Sequence, residues 1–505
     1  MITFIDYYLD RITMYRFTLF YLIAIIGCGV LLAGMGMLPM YTADGILISA
    51  SISLILCLAT NVVFSRVFDA PTNLESSYIT ALIIVCLVPP IQSTQDLPLL
   101  VWAAILAIAS KFILAIRNKH VFNPAAIAVV LTAVWLNLSA AWWIGTGWMI
   151  PVTLIGGLLL VRKIRRIDMM YGFFVAAIIT ITLFTASKGG NILDTAKETF
   201  LRSPILFFAF VMLTEPLTSP PTQFLQVIYG AIVGVLSAPQ IHFASYYLTP
   251  EMALVAGNVF SFAVSPKIKE KLTLTRKTFL APDVMEFEFA PARQLKFTPG
   301  QYMEFTLPHE RPDTRGTRRY LTVASSPTED RLLLGVKFYH EGSSFKTHLA
   351  DLELGKSLMG GQLAGDFTLP KDETEKLVFI AGGIGITPFR SMLKYLSDTN
   401  SKRDIVLIYM NKTVDEIAYA DIFSDAEKAI GARIVYTLTG SVPSDWKGKI
   451  GRVDAALIQD VVPDFMSRTF YLSGPHTMIT GVENTLQELR VPGKQIKKDF
   501  FPGLA

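Results

Sequence analysis

A chain of 505 residues is too long for one ordinary domain, and a formal charge of +4 spread along it offers no basic patch for nucleic acid. It is 52% apolar, but unevenly: residues 1–266 carry 13 Lys/Arg and 11 Asp/Glu, residues 267–505 carry 32 and 30. That step separates a membrane-like N-terminal half from a soluble half of mixed α and β character.

From the N-terminus, apolar runs predict ten membrane helices near 17–38, 44–66, 76–92, 98–116, 121–140, 145–162, 169–187, 201–215, 224–240 and 248–266. The opening "MITFIDYYLDRITMYR" lacks a basic start, and no small-residue cleavage site follows the first run, which therefore reads as retained. The third and eighth runs are short and close on proline, "CLVPP" and "TEPLTSPP". The fifth and tenth echo each other in "VFNPAAIAVV" and "AGNVFSFAVS". Short, proline-broken segments at matching places predict two inverted five-helix repeats with broken helices. Ten crossings return the chain to the side on which it starts. Arg11, Arg16, Arg66, Arg117, Lys119, Arg162, Lys163, Arg165, Arg166 and Lys267 fall on that side, against Lys188, Lys197 and Arg202 opposite. The positive-inside rule then puts a multi-pass protein in the cell (inner) membrane with both termini cytoplasmic. Trp142, Trp143 and Trp148 are expected at the outer interface.

The stretch "LTEPLTSPPT" (213–222) places Glu215 and three prolines at membrane depth. An ionisable group there is costly and marks function, and broken backbone is tolerated only where protein or a cavity shields it. Broken ends expose N–H and C=O groups that can meet the heteroatoms of a ring ligand. Asn123 adds an amide, Pro124 opens a helix, and Thr214 and Thr218 add hydroxyls. Glu215 can accept from a ring N–H, pair with Lys111 or Arg117, or carry a proton. The plainer alternative takes "NPA" as a helix entry and "TEP" as a helix exit, with Glu215 at the cytoplasmic interface.

Cys28, Cys57 and Cys86 sit in apolar runs as small hydrophobes, with no C-x-x-C pair or iron–sulfur spacing, and no metal site is expected. Of six histidines, only His120 and His242 lie near the membrane half, in loops on opposite sides, which excludes stacked haem-ligand pairs.

Beyond 270 the pattern turns to short alternating strands, "KLTLTRKTF", "VMEFEFAP", "QYMEFTLP" and "LLLGVKFY", which predict an antiparallel β-barrel over 267–372. From 373 to 505 apolar strands alternate with helical segments, predicting an α/β domain on a parallel sheet. There "AGGIGITP" runs a strand into Gly382, Gly383 and Gly385, and Thr387 and Pro388 open a helix. Glycines let backbone approach a pyrophosphate, and the helix N-terminus presents N–H groups to it.

Five motifs occur in one order: "FTPGQY" (297–302), "RRYLTVASSP" (318–327), "GSSFKTHL" (342–349), "GGIGITP" (382–388) and "SGP" (473–475). That order and spacing resemble the ferredoxin–NADP reductase family. The resemblance implies FAD and NAD(P)H as cofactors. It implies that Arg319 pairs with the FAD pyrophosphate, that Thr322 sits near flavin N5, and that Gly342, Ser343 and Ser344 complete the pyrophosphate cradle. Leu321 stands where the family has an aromatic, and either Tyr320 substitutes or the register shifts by one. Arg318 and Arg319 as a solvated strand face is the plain alternative. Gly382, Gly383, Gly385, Thr387, Pro388, Gly474 and Pro475 are implied to hold the dinucleotide. Ser473 replaces a cysteine near the hydride path, and Phe501, with Phe500 second, is implied to cover the flavin. Thr322, Thr387 and Ser473 are the implied catalytic residues. Asn411 and Lys412 end the second strand of the nucleotide domain, where a cation would meet a 2′-phosphate, leaving NADH and NADPH both open.

In the membrane half, "LDRITMYR" (9–16), "HVFNPAAIAVV" (120–130) and "LTEPLTSPP" (213–221) resemble the flavin-bearing D subunit of the Rnf complex and B subunit of the sodium-pumping NADH:quinone reductase, which resemble urea transporters. Those subunits esterify FMN to a threonine in a Ser-Gly-Ala-Thr-like segment that this sequence lacks, which implies non-covalent FMN or riboflavin here. The combination implies a transmembrane NAD(P)H oxidoreductase whose electrons pass through FAD to membrane flavin and on to a flavoprotein, quinone or small molecule. A hydrocarbon core of roughly 30 Å is too thick for one electron hop, so an intermediate carrier is required. The competing readings are a redox-gated transporter or channel of urea-transporter shape, and an NAD(P)H:quinone reductase confined to the inner leaflet.

Overall fold

The computed structural model describes residues 5, 9, 12–68, 74–116, 119–239, 241–243, 246–265, 269–313, 315–339 and 342–499. Phe500 and Phe501, Arg11, Arg117 and Lys267 lie outside the described residues. The chain divides near residue 270 into two compact units.

The N-terminal unit is helical: α1 (Met14–Gly34), α2 (Ala43–Val67), α3 (Leu74–Leu87), α4 (Leu97–Ile113), α5 (Pro124–Leu136), α6 (Ile150–Ile164), α7 (Ile167–Ser187), α8 (Ile192–Leu201), α9 (Gln223–Leu236) and α10 (Pro250–Val264). Among the described residues, five helical stretches, at α1, α2, 94–113, 147–164 and α7, are long and apolar enough to cross a membrane. Leu74–Leu87, Pro124–Leu136, Gln223–Leu236 and Pro250–Val264 are apolar but shorter. At 1.5 Å per residue they reach only about 20 Å, and the chain turns to non-helical backbone at their proline-bearing ends. The run expected as one helix over 201–215 is instead a short helical turn, Ile205–Phe207, continued by π-helix over Phe208–Met212 and ending before Glu215. The polar segment before it forms α8, capped by Asn191 and largely exposed, which the search for apolar runs did not predict. α9 lies on α7 at backbone distance. A Cβ on Gly230 would stand 2.2 Å from Met169 O, and one on Gly234 2.4 Å from Phe173 O. Small residues four apart allow the close approach that replaces a hydrophobic drive between helices in lipid.

Two of the three tryptophans expected at the interface are buried instead. Trp142 donates through Nε1 to Glu251 at 2.5 Å and Trp143 to Val85 O at 2.6 Å, whereas Trp148 is 60% exposed. An indole N–H that finds a buried acceptor has no need of the headgroup zone.

The C-terminal unit holds two sheets. The first is antiparallel, from β1 (Lys269–Ala281), β2 (Val284–Pro291), β3 (Tyr302–Thr306), β4 (Arg318–Thr322), β5 (Leu332–Lys337) and β6 (Ser357–Ala364), in the order β4-β3-β6-β1-β2-β5. Just beyond β4, Ala324 N–H donates to Leu333 O of β5 at 2.9 Å. Between β5 and β6 lies α11 (Ser344–Asp351).

The second sheet is parallel, from β7 (Leu377–Gly382), β8 (Ile405–Asn411), β9 (Arg433–Leu438), β10 (Lys449–Ile450), β11 (Thr469–Ser473) and β12 (Ile496–Lys498), in the order β10-β9-β8-β7-β11-β12. Helices α12 (Thr387–Asp398) and α13 (Ala420–Ile430) pack on one face, and α14 (Ala455–Val461) and α15 (His476–Glu488) on the other. Burial on both faces explains the unbroken apolar runs "LVFIAG" and "IVLIYMN". The order reverses between β7 and β11, so a crevice opens outside their C-terminal ends, the usual ligand site of such a sheet.

Candidate functional sites

The glycine turn sits at that crevice. β7 ends at Gly382, a short 3₁₀ turn runs Gly383–Ile386, and Thr387 and Pro388 begin α12. Gly383 has φ +52°, and a Cβ on Gly385 would stand 2.5 Å from Ser473 O and 2.6 Å from Gly474 N. Only glycine there lets the loop after β7 touch the loop after β11. Gly382, Gly383, Gly385, Thr387, Pro388, Ser473, Gly474 and Pro475 are thus brought to one crevice. Ser473 Oγ donates to Asp499 Oδ2 at 3.0 Å, and Asp499 N–H donates to Leu472 O, a carboxylate that sequence reasoning did not single out. Asn411 ends β8, 97% buried, with neither amide atom hydrogen-bonded, whereas Lys412 is exposed and its N–H donates to Glu416 Oε2 at 3.3 Å.

The second site lies between β4 and α11. Register pairs Arg319 with Phe305 and Leu321 with Met303, so Arg319 and Leu321 share one face of β4, and Tyr320 and Thr322 take the other. Tyr320 does not join Arg319. It is 6% exposed, edge-on to Tyr302, with its hydroxyl on Gln362 Oε1 at 2.8 Å. Arg318 pairs with Glu304 at 3.6 Å. Arg319 is 2% exposed, lies over the Phe345 ring of α11, and donates through Nη1 to Arg315 O at 2.8 Å and Gly316 O at 3.3 Å. Its Nη2 is buried without a partner. Burial pushes this guanidinium down to about 10, with Arg315 adding repulsion and Asp313 opposing it.

Ser343 caps α11 by accepting from Lys346 N–H at 3.3 Å, and Gly342 O accepts from Arg315. Of the N–H groups expected to form the cradle, that of Ser344 donates to Asp313 Oδ2 at 3.0 Å. Burial raises Asp313, but the bonds from Ser344 N–H and Arg315 outweigh it and hold the carboxyl below its ordinary range. Lys346, in the first turn of α11, was not anticipated. Burial first, then Arg319 and Arg315, push its amine down to about 8. Three cations gather at the start of this helix: Arg319 with an orphaned buried donor, Arg315 paired with Asp313 at 2.7 Å, and Lys346, whose amine donates to Lys337 O at 2.9 Å. The donor set fits a pyrophosphate.

The membrane unit has an open cavity, of which about 80 Å³ is enclosed. Its walls come from the first turns of α1 (Met14, Tyr15, Thr18), from α3 (Ser76, Thr80), from the start of α5 (Asn123, Pro124, Ala125), from the end of α6 (Leu160, Ile164) and from the broken segment (Thr214–Leu217). Four of the five expected residues, Asn123, Pro124, Thr214 and Glu215, therefore line one space. Thr218 stands behind them and donates to Glu215 Oε2 at 2.9 Å. Asn123 caps α5 by accepting from Ala125 and Ala126 N–H, both at 3.1 Å, and Pro124 takes the first turn, where no N–H is needed. Thr214 spends its hydroxyl on Phe210 O at 2.6 Å. Lys111 donates to Ser76 Oγ at 3.0 Å and Thr80 Oγ1 at 2.7 Å and is a coulombic partner of Glu215.

The supporting residues came without a sequence signal. Asn258 of α10 accepts from Asn123 N–H at 2.8 Å and donates to Thr218 O at 3.4 Å and Tyr229 Oη at 3.0 Å. Arg166 and Gln226 both donate to Pro220 O, at 3.1 and 3.2 Å. These bonds satisfy backbone groups that the broken helices leave open. Apolar walls that carry a few polar groups, open on one side, are the lining a planar aromatic ligand needs.

The two halves match different families. Residues 271–362 match the oxidoreductase FAD-binding domain and residues 379–484 the oxidoreductase NAD-binding domain. Residues 135–264 match the NQR2, RnfD, RnfE family. A flavohemoprotein of Oceanobacillus iheyensis is 28% identical over 247 residues, 48% of this chain and 58% of that protein. The NADH-cytochrome b5 reductase 1 of Ajellomyces capsulatus is 27% identical over 251 residues, 47% of this chain and 80% of that protein. The flavohem-like FAD/NAD-binding domain of nitric oxide dioxygenase from Vibrio cholerae O1 superposes with a TM-score of 0.41 at 21% identity, over 46% of this chain and 98% of that domain. The chain spans 58% of the length of the Oceanobacillus flavohemoprotein and 52% of the glycine betaine monooxygenase reductase subunit of Chromohalobacter salexigens. The FAD- and NAD-binding matches fall on the pyrophosphate cradle and the glycine turn. The membrane match includes Thr214, Glu215 and Asn258 and stops short of Asn123.

Proposed function

We propose that this chain is a transmembrane NAD(P)H oxidoreductase. Electrons enter from NAD(P)H by way of FAD in the C-terminal half, and pass to FMN or riboflavin held non-covalently in the cavity of the N-terminal half. They leave to an extracytoplasmic or membrane acceptor, a flavoprotein, quinone or small molecule. The carrying observation is the cavity that gathers Asn123 and Pro124 from a helix start and Thr214 and Glu215 from a broken segment more than 80 residues away, in a chain whose other half matches FAD- and NAD-binding domains.

When bound, FAD supplies two-electron acceptance and one-electron release, which couples a hydride donor to a one-electron chain. Arg319 and Lys346 would neutralise its pyrophosphate, with the N–H groups of Gly342 and Ser343 beside them. Leu321, on the same face of β4 as Arg319, would offer the ring an aliphatic side chain. Thr322 ends β4 nearest the reacting edge, and Gly385 keeps the loops carrying Thr387 and Ser473 close enough to seat a nicotinamide between them. No protein acid or base is needed for that step; orientation dominates. In the cavity, Glu215 offers an acceptor to a ring imide N–H, beside Asn123, whose amide is held by Ala125, Ala126 and Met212. The wall elements are helix ends beside the basic residues Arg16, Arg162 and Arg166, which by the positive-inside rule face the cytoplasm.

The test is flavin content after detergent purification, by mass spectrometry before and after acid precipitation. The reading requires FAD plus a second, acid-extractable flavin, and reduction of both by NAD(P)H under anaerobic conditions. FAD alone, with solute flux through reconstituted vesicles, would replace it with the redox-gated transporter. Failure of NAD(P)H to reduce an impermeant acceptor on the far side of oriented vesicles would confine electrons to the inner leaflet.

A further inference from the structure

The antiparallel sheet and the parallel sheet are joined by a buried clamp beside the reacting edge. Arg390 lies one turn beyond Thr387 on α12 and is 5% exposed. Its Nη2 donates to Glu329 Oε1 at 2.8 Å, its Nη1 meets Glu329 Oε2, and Nη1 also donates to Ala324 O at 3.1 Å. The next residue, Ser391, donates to Ser325 O at 2.6 Å, with both serines fully buried. At the far end of α12, Asp398 Oδ2 accepts from Thr328 Oγ1 at 2.5 Å. The helix that opens at the nucleotide turn is thus fastened along its length to residues 324–329. That segment begins two residues after Thr322.

The opposite wall is equally tight. A Cβ on Gly335 of β5 would stand 2.9 Å from Thr387 Cγ2 and 3.1 Å from Ile384 Cδ1. The guanidinium of Arg390 also lies 5.6 Å over the ring of Tyr419, a residue with φ +61° at the start of α13. A bidentate guanidinium–carboxylate pair fixes angle as well as distance, and here the guanidinium is buried while the Glu329 side chain stays partly open to solvent.

We infer that Arg390, with Glu329 and Ser391, is a positioning residue for hydride transfer: it sets the separation between the flavin edge at Thr322 and the nicotinamide loop at Thr387. The inference rests on the assignment of FAD to β4 and the dinucleotide to the glycine turn. In the step concerned, the C4–H bond of the dihydronicotinamide breaks with its electron pair, a bond forms at the acceptor ring nitrogen, the nicotinamide leaves oxidised, and no further reactant is needed. A misplacement of about 1 Å in such a step costs on the order of 100-fold in rate.

The experiment compares the full chain with Arg390→Met, Arg390→Met/Glu329→Gln and Arg390→Lys, each normalised to bound FAD. The expected result for both Met variants is a fall of at least 10-fold in the rate of flavin reduction by NADH, with KM for NADH within about threefold and a larger deuterium isotope effect from 4-deuterated NADH. Arg390→Lys should recover part of the rate. Amide exchange should rise over 322–326, with and without FAD. The double variant removes the Glu329 charge together with that of Arg390, so Glu329 is not left as an unpaired carboxylate, although Glu286 still loses its interaction with Arg390. Unchanged reduction per FAD would overturn the inference, whether or not the melting temperature falls. So would a rate loss that appears wholly in KM. A wild-type chain that holds no FAD would instead sink the underlying assignment.

Discussion

The proposed pyrophosphate cradle and the proposed flavin cavity of the membrane unit would hold a planar cofactor by opposite means. The cradle is local: Gly342 to Lys346 lie within five residues, and Arg319 is one strand away. The cavity draws on five segments between residues 14 and 217 and on braces, Asn258 and Tyr229, that never touch it. A helix N-terminus in water can leave N–H groups free for a ligand, because solvent satisfies them until it arrives. A broken helix at membrane depth cannot, so each open backbone group needs a side chain from elsewhere. The membrane site should therefore fail by losing structure, and the soluble one by losing ligand.

The sharpest contrast is expected from Asn258→Leu. It leaves Asn123 N–H and Thr218 O unpaired in a dry interior, at about 1–3 kcal/mol for each group. Thermal unfolding of the membrane unit in detergent should drop, and its acid-extractable flavin should vanish while FAD in the other unit stays. Retention of both would show that the braces do not hold the cavity.

Arg319→Ala should act the other way. FAD affinity should fall about 10- to 100-fold, since charge-assisted bonds to a charged group contribute about 1.5–3 kcal/mol. Folding should survive, because the lost side chain leaves only carbonyls near solvent-accessible loops. Equal FAD binding by titration would remove Arg319 from the cradle.

A pH series sharpens the same site. Lys346 has a folded value near 8 without an anion beside it. A pyrophosphate favours the charged amine, so binding raises that value and takes up protons above about pH 8. FAD affinity should be full below pH 8 and decline as pH rises through the bound value, and Lys346→Met should flatten the curve. Stability of the FAD-free chain has the opposite sign. The unfolded lysine keeps its proton to about 10.5, so the unfolded state binds more protons and stability rises with pH in that window.

The smallest effect is expected at Lys412→Ala. Its exposed amine can bias the chain toward NADPH by no more than a surface charge pair, about 0.2–1 kcal/mol. A ratio of NADPH to NADH efficiency that moves more than about fivefold would place the 2′-phosphate on Lys412.

The apolar runs and the glycine turn were legible because each rests on a short-range rule. "LVFIAGGIGITP" needs only strand, turn and cap, and the structure forms all three in place. The break at Glu215 was legible for the same reason, since three prolines and a carboxylate cannot continue a spanning helix. Tyr320 was not. Which face of β4 it takes depends on pairing with β3, and one residue of register turns a cofactor contact into a core contact with Tyr302. Trp142 and Trp143 escaped likewise, because composition cannot say whether an indole finds headgroups or a buried acceptor such as Glu251.

The sequence by itself determined where helices break, where the glycine turn joins strand to helix and which half carries the long apolar runs, because those follow from proline, glycine, capping and hydropathy over a few residues. Tertiary structure alone decided that Asn123 and Glu215 share a cavity, that Asn258 braces it, and that Arg390 ties α12 to the strand ending at Thr322. Those contacts join residues 40 to 135 apart, and only packing decides which distant polar groups satisfy one another.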